Sequence, residues 1–245
     1  MKRLTVRNPA RVRRGDLAAR RAVQRALAAR TVMVRPGLKG LALALLLALV
    51  GAGTLSLLAS RPAGAEELSG FSLLSALRRG GFVVVMRHAS SPREIPDRAH
   101  ADPENTTPER QLDATGRDTA TAMGKALREF DIPFTQVLAS PAYRAQETVR
   151  LAGLSATAQP ELAQAGADMQ PATLTQLEWL RNQVKLLPKT GNTLIVTHAP
   201  NISGAFGAQG ANIADGESLV FGSDGKGGSA LLARIRIEDW PTLGQ

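Results

Sequence analysis

Two histidines carry the chemistry that is easiest to read in this chain. His88 follows the run Val83-Val84-Val85-Met86-Arg87, and His198 follows Leu194-Ile195-Val196-Thr197, 110 residues later. A third histidine, His100, lies in a polar stretch and reads as solvated. Apolar, mostly β-branched runs of this length read as buried parallel strands, and ligands of open α/β sheets bind beyond the carboxyl ends of such strands. Another strand-like run, Val137-Leu138-Ala139, leads into Ser140-Pro141-Ala142-Tyr143-Arg144-Ala145-Gln146-Glu147-Thr148. Two histidines and two arginines, Arg87 and Arg144, could therefore converge on one pocket. That set suits a phosphate, because guanidinium forks match its oxygens and an imidazole can attack phosphorus.

The same residues resemble a known family. Arg87-His88-Ala89 looks like the Arg-His-Gly signature of the histidine phosphatase superfamily, which includes the phosphoglycerate mutases and histidine acid phosphatases. Ser140 to Thr148 resembles the family's second block and Val196-Thr197-His198 its third, in the same order, and the likeness runs from about Phe82 to Ala233. The resemblance implies a metal-independent phosphomonoesterase with no cofactor. His88 would be the nucleophile that forms a phosphohistidine. Arg87 and Arg144 would hold the phosphoryl oxygens, with His198 as a further phosphate donor. Arg110, just before Gln111-Leu112-Asp113-Ala114-Thr115-Gly116, is a further phosphate-binding candidate. It matches a family stretch from which arginine or glutamine reaches the phosphate. An ordinary surface arginine is the competing reading for Arg110, as is a helix-surface pairing with Glu147 or Asp131 for Arg144.

Two departures stand out. Ala89 replaces the usual glycine, and His198-Ala199-Pro200-Asn201 lacks the aspartate that the acid phosphatase branch places after its histidine. No glutamate matches the mutase branch's acid after the second block. Glu217 in Ala214-Asp215-Gly216-Glu217-Ser218 is the first candidate for the leaving-group proton donor, ahead of Asp97, Asp102, Glu104 and Glu109. With no acid at all, low-pKa leaving groups would be favoured, as in phosphohistidine phosphatases. A metal site is not expected: no H-x-H or H-x-x-x-H spacing occurs, there is no cysteine, and neither histidine segment holds a carboxylate.

The formal charge of +9 is concentrated at one end. Residues 1–40 hold twelve of the thirty Lys and Arg and one of the twenty-one acids, so the remaining 205 residues carry a net −2. The basic balance therefore implies no nucleic-acid face on the folded domain, and two Trp and one Tyr give no stacking platform for bases. From residue 41 to residue 60 the chain is uncharged and rich in Leu and Ala, long enough to span a bilayer and equally suited to a signal-peptide core. Ala63-Gly64-Ala65 is an A-x-A cleavage pattern, and translation from Met33 would make residues 33–65 a presequence of ordinary length. Uncleaved, residues 41–60 would anchor the protein with its basic side in the cytoplasm. Either way the domain is expected to be periplasmic or otherwise extracytoplasmic. The layout also looks like the bacterial lipopolysaccharide-core heptose phosphate phosphatases, which implies a small phosphorylated substrate such as an envelope sugar phosphate.

The elements that must position the site follow from periodicity. Residues 66–245 read as one domain. A helix over Phe71–Leu77 stops at Gly80-Gly81, and Phe82–Met86 is the first strand. Residues 89–111 are polar, contain four prolines and read as a long loop over the site. Asp113 caps a helix carrying Ala120, Met123, Leu127 and Phe130, and Thr135–Ala139 is a strand. Ser140 reads as the N-cap of the next helix with Pro141 at its first position, which puts Arg144 one turn in. Leu174 to Leu187 is an amphipathic helix ended by Pro188, followed by the strand Thr193–Thr197; Leu219–Phe221 and Ala230–Ile237 are strands around a glycine-rich turn. Strands alternating with helices predict a three-layer α/β/α sandwich around a largely parallel central sheet, phosphoglycerate mutase-like by the resemblance. Two other readings stay open: a catalytically weak relative that binds a phosphorylated ligand, and a phosphohistidine protein phosphatase.

Overall fold

Near-continuous apolar runs at Val83–Met86, Leu194–Val196 and Leu219–Phe221 give their strands two buried faces, and this dictates the layering. A computed structural model describes residues 67–164 and 171–245. The basic region, the apolar segment 41–60, the start at Met33 and the Ala65–Glu66 junction lie outside the described residues. Among the described residues no helix is long and apolar enough to cross a membrane.

The described chain runs α1 (Gly70–Arg79), β1 (Val83–Arg87), α2 (Ala114–Glu129), β2 (Phe134–Ala139), α3 (Tyr143–Leu151), β3 (Thr157–Ala158), α4 (Leu174–Gln183), β4 (Asn192–Thr197), α5 (Ala199–Phe206), β5 (Ser218–Ser223) and β6 (Ser229–Ile235), with short 3₁₀ turns between and after. The sheet order is β3-β2-β4-β1-β5-β6. The β3-β2, β2-β4 and β4-β1 pairings are parallel, whereas β1-β5 and β5-β6 are antiparallel. Val84, Met86, Leu194, Val196 and Val220 face one layer, formed by α1, α2, α3 and the C-terminal 3₁₀ turn that carries buried Trp240. Val83, Val85, Ile195, Leu219 and Phe221 face the other, formed by α4 and α5. The three-layer sandwich is thus a direct result of the period-2 pattern in strands covered on both sides.

Three details differ from the sequence reading. The helix after β2 starts at Tyr143, with Ala142 as N-cap, so Arg144 is its second residue and not one turn in. Ser140 instead accepts the Ala142 amide through Oγ (3.2 Å) and makes a second bond inside the site. Helix α4 ends at Gln183, and Leu186 beyond it is exposed. The helix α5 and the two-residue strand β3 had no clear sequence signal.

Asn192, fully buried at the start of β4, ties three segments together. Its Nδ2 donates to Leu77 O (2.8 Å) and Pro133 O (3.0 Å), and its Oδ1 accepts the Phe82 amide (3.2 Å). Asn192→Ala would strip the Phe82 amide of its partner and leave a small void. Such losses cost about 1–3 kcal/mol per buried group. The expected outcome is a loss of about 2–3 kcal/mol, read as a lower urea midpoint with an unchanged slope.

Candidate active site

Strand register sets the site. Arg87 on β1 pairs with Thr197 on β4, so the next residues, His88 and His198, lie side by side at one sheet edge. Their ring centroids are 5.3 Å apart, close to the spacing of adjacent strands. Ala139 pairs with Val196, which brings Ser140 to the same edge from the other side of β4. The backbone holds His88 from both flanks: its amide donates to Thr197 O (3.0 Å), and its carbonyl accepts from the Gly216 amide (2.9 Å).

Arg144 projects from the first turn of α3 between the two rings. It donates through Nε to His88 Nε2 (3.2 Å) and through Nη2 to His198 Nδ1 (3.0 Å) and Gln164 Oε1 (2.6 Å). These partners fix the tautomers, because arginine only donates and a carbonyl only accepts. His88 Nδ1 carries its proton toward Ala89 O (2.8 Å), leaving the Nε2 lone pair directed into the site. His198 Nδ1 is unprotonated, so Nε2 donates to Ser140 Oγ (2.8 Å). Burial pushes His88 down to about 3, helped by the charges of Arg144, Arg87 and Arg110 and opposed by the Ala89 carbonyl. Burial pushes His198 down to about 2, again with Arg144 as the nearest charge. Both imidazoles are therefore neutral over the physiological range. Arg144 itself is lowered to about 10, by burial first and by Arg110 next. Arg144 is only 6% exposed and hydrogen-bonded to neutral groups, with Glu109 as the carboxylate whose charge reaches it, so the pocket favours an anion.

The remaining candidates surround this core. Arg87 donates through Nη1 to Ile213 O (2.9 Å), its Nη2 pairs with Asp215, and its buried Nε makes no hydrogen bond. Arg110 clasps the loop after β1, donating to Pro92 O (2.7 Å) and Ser91 O (2.9 Å), and its charge is felt at both histidines. Asp113 caps α2 through the Gly116 amide (2.7 Å) and holds Ser90 Oγ (2.7 Å). A Cβ on Gly116 would lie 2.2 Å from Ser90 O, so this close approach of helix to loop requires glycine.

Glu217, the first candidate for the proton donor, is used elsewhere. Its Oε1 accepts Arg234 Nε (2.8 Å) and its Oε2 accepts the Ala214 amide (2.8 Å). Burial pushes its carboxyl up, but these two bonds outweigh it and hold the group below its ordinary value. A carboxylate kept ionised by two structural partners is a poor acid, so the geometry gives Glu217 a structural place in this loop. Loop acids are also committed: Asp97 to His100, Asp102 to Tyr143, Glu104 to Arg150, and Glu109 through Oε2 to the Tyr143 amide (3.1 Å). Sequence reasoning passed over Asp215, two residues before Glu217. It is half-buried against Arg87, and burial pushes its carboxyl above the ordinary value despite the opposing charges of Arg87 and Arg110. Its neighbourhood could have been inferred from the antiparallel entry into β5, but not its orientation.

Among the described residues no group of three His, Asp or Glu side chains gathers in metal-binding geometry. The neutral histidines make stability depend on acid. Both folded pKa values lie below the unfolded value of about 6.5, so the unfolded chain binds more protons as pH falls from about 6.5 toward 3, and stability is lost across that window. Each histidine contributes up to about 1.4 kcal/mol per pH unit. Urea unfolding from pH 7 to pH 4 should therefore fall less steeply in His198→Gln than in the native chain; parallel curves would rule out a buried neutral His198.

The family model of the histidine phosphatase superfamily (branch 1) matches residues 83–170, which include β1, the loop over the site and α3. No curated protein matches the chain. Among solved structures, the protein histidine phosphatase SixA complexed with tungstate is similar at 20% identity and a TM-score of 0.46, covering 64% of this chain and 98% of that one. Rv3214 from Mycobacterium tuberculosis is similar at 19% identity and a TM-score of 0.43, covering 62% and 96%. The matched segment carries His88 and Arg144, and the sheet brings His198 beside them, so over residues 83–170 the chain is similar to the histidine phosphatase superfamily, branch 1.

Proposed function

We propose that this histidine-type phosphatase is a metal-independent phosphomonoesterase that works through a phosphohistidine on His88. The observation that carries the reading is Arg144, a buried cation whose partners are two neutral imidazoles and an amide. A phosphoryl dianion supplies the missing countercharge. As it enters, Arg144 exchanges His88 Nε2 for phosphoryl oxygens, and the freed lone pair faces phosphorus. His88 Nδ1–H stays on the Ala89 carbonyl, which stabilises the cationic ring formed on attack. Arg144 and Arg87 neutralise charge on the equatorial oxygens. His198, already within reach of Arg144, takes a proton once an anion lies beside it and becomes a further donor. Water then attacks the phosphohistidine and releases phosphate.

The basic residues 1–40 and the uncharged residues 41–60 support a domain exported or anchored at the outer face of the cytoplasmic membrane, with a small envelope sugar phosphate as substrate. A phosphoglycerate mutase activity fits less well, since its sugar-acid substrates are cytoplasmic. A phosphohistidine protein phosphatase would call for the domain on the cytoplasmic side, so a topology reporter fused at the C-terminus separates the two.

The test is p-nitrophenyl phosphate hydrolysis by the full-length chain, with and without EDTA, beside His88→Ala. Activity should survive EDTA and drop by about 10³-fold or more in the variant. Activity abolished by EDTA, or retained in His88→Ala, would refute the mechanism. A protein that binds phosphate without turnover would instead be the ligand-binding relative.

A further inference from the structure

Among the described residues one carboxylate, Asp215, pairs with an arginine of the site. Strand β5 runs antiparallel to β1, so the residues before Ser218 pass directly beyond His88: the Arg87 amide donates to Glu217 O (3.0 Å), and the Gly216 amide donates to His88 O (2.9 Å). Asp215 is the next residue along this path. Its carboxylate rests on Arg87, and Arg110 and Asp113 are the other charged groups that face it. Every other carboxylate considered for the role is bound to a partner outside the phosphate pocket. Glu109, which faces Arg144, uses its Oε2 on the first amide of α3.

We propose that Asp215 is the catalytic proton donor, and that substrate binding itself arms it by drawing Arg87 from the carboxylate to the phosphoryl group. This rests on the phosphatase reading above. Arg87 is shared between two anions: Nη2 rests on Asp215, the buried Nε is unbonded, and a phosphoryl group competes for the same cation. When the phosphate draws on Arg87, Asp215 loses the larger of its two countercharges, keeps only Arg110, and gains an anion beside it while staying half-buried, and a carboxyl in that setting takes up a proton more readily. Burial already holds it above its ordinary value with Arg87 in place. In the first step the His88 Nε2–phosphorus bond forms as the phosphorus–oxygen ester bond breaks, and the Asp215 proton passes to the departing oxygen, which leaves as an alcohol. In the second step Asp215 carboxylate takes a proton from the attacking water, the phosphorus–nitrogen bond breaks, and phosphate departs.

General acids matter in proportion to the basicity of the leaving group, so the readout is a ratio between two substrates. Glycerol 2-phosphate leaves as a strongly basic alkoxide unless protonated, whereas p-nitrophenyl phosphate leaves as a stable anion. With the full-length chain, Asp215→Asn should lower kcat/KM for glycerol 2-phosphate about 100-fold or more and for p-nitrophenyl phosphate less than about 5-fold. Asp215→Glu should keep glycerol 2-phosphate hydrolysis within about tenfold of the native chain, and it decides the matter if the Asn variant does not fold. Equal losses on both substrates, no loss on either, or a folded Glu variant inactive only on glycerol 2-phosphate would overturn the assignment. So would a loss selective for glycerol 2-phosphate in Glu109→Gln. If the native chain hydrolyses p-nitrophenyl phosphate through His88 but never glycerol 2-phosphate, the acid is refuted and the phosphatase reading stands. If it hydrolyses neither, both fall.

Discussion

A buried arginine held by neutral acceptors is the constraint around which this site is organised. Removing a guanidinium from water is costly, and the usual remedy is a carboxylate. Arg144 has two imidazole nitrogens and an amide oxygen in place of one. The arrangement survives because donor and acceptor geometry is met and because both rings are kept neutral, each with a single N–H turned away from Arg144. Protonating either ring would place a second cation on the same few ångströms. The charge that would draw an anion into the pocket thus also keeps the His88 ring neutral, so one group does two tasks.

The sheet supplies the positions that this balance requires. Parallel pairing of β1 and β4 sets the two histidines level, β2 contributes the Ser140 hydroxyl that fixes the His198 tautomer, and α3 brings Arg144 down from the adjoining layer. The loop over the site is held by its own network. Asn105 closes it onto Glu109 through two bonds of 2.9 Å, and Glu109 in turn caps α3. A loop rich in proline is thereby tied to the helix that carries Arg144.

Much of this was legible in the sequence, for a physical reason. A doubly covered strand must be apolar on both faces, so Val83–Met86 and Leu194–Val196 announce themselves, and polar residues at their ends can only face a ligand or solvent. The antiparallel flank was less legible. Whether Glu217 or Asp215 faces the pocket depends on Arg234, a β6 residue that takes the Glu217 carboxylate, and pairing across strands is not encoded locally. The helix after β2 was placed two residues early because Ser-Pro fits an N-cap equally well as local sequence; the demand of His198 for the Ser140 hydroxyl decided otherwise. Helix α5 is only eight residues long, too short for a periodic signal to rise above the apolar strand before it.

The hydrogen bonds that frame His88 reach far along the chain. Arg87 bonds to Ile213, 126 residues further along the chain, and His88 leans on Thr197 and Gly216. Contacts of such sequence separation close late, because the loop entropy must be met before they contribute. A growing chain that has made β1, α2, β2 and α3 already contains His88 and Arg144 but has no β4 or β5 to seat them. A chain stopped before β4 therefore holds both residues with no strand to seat them.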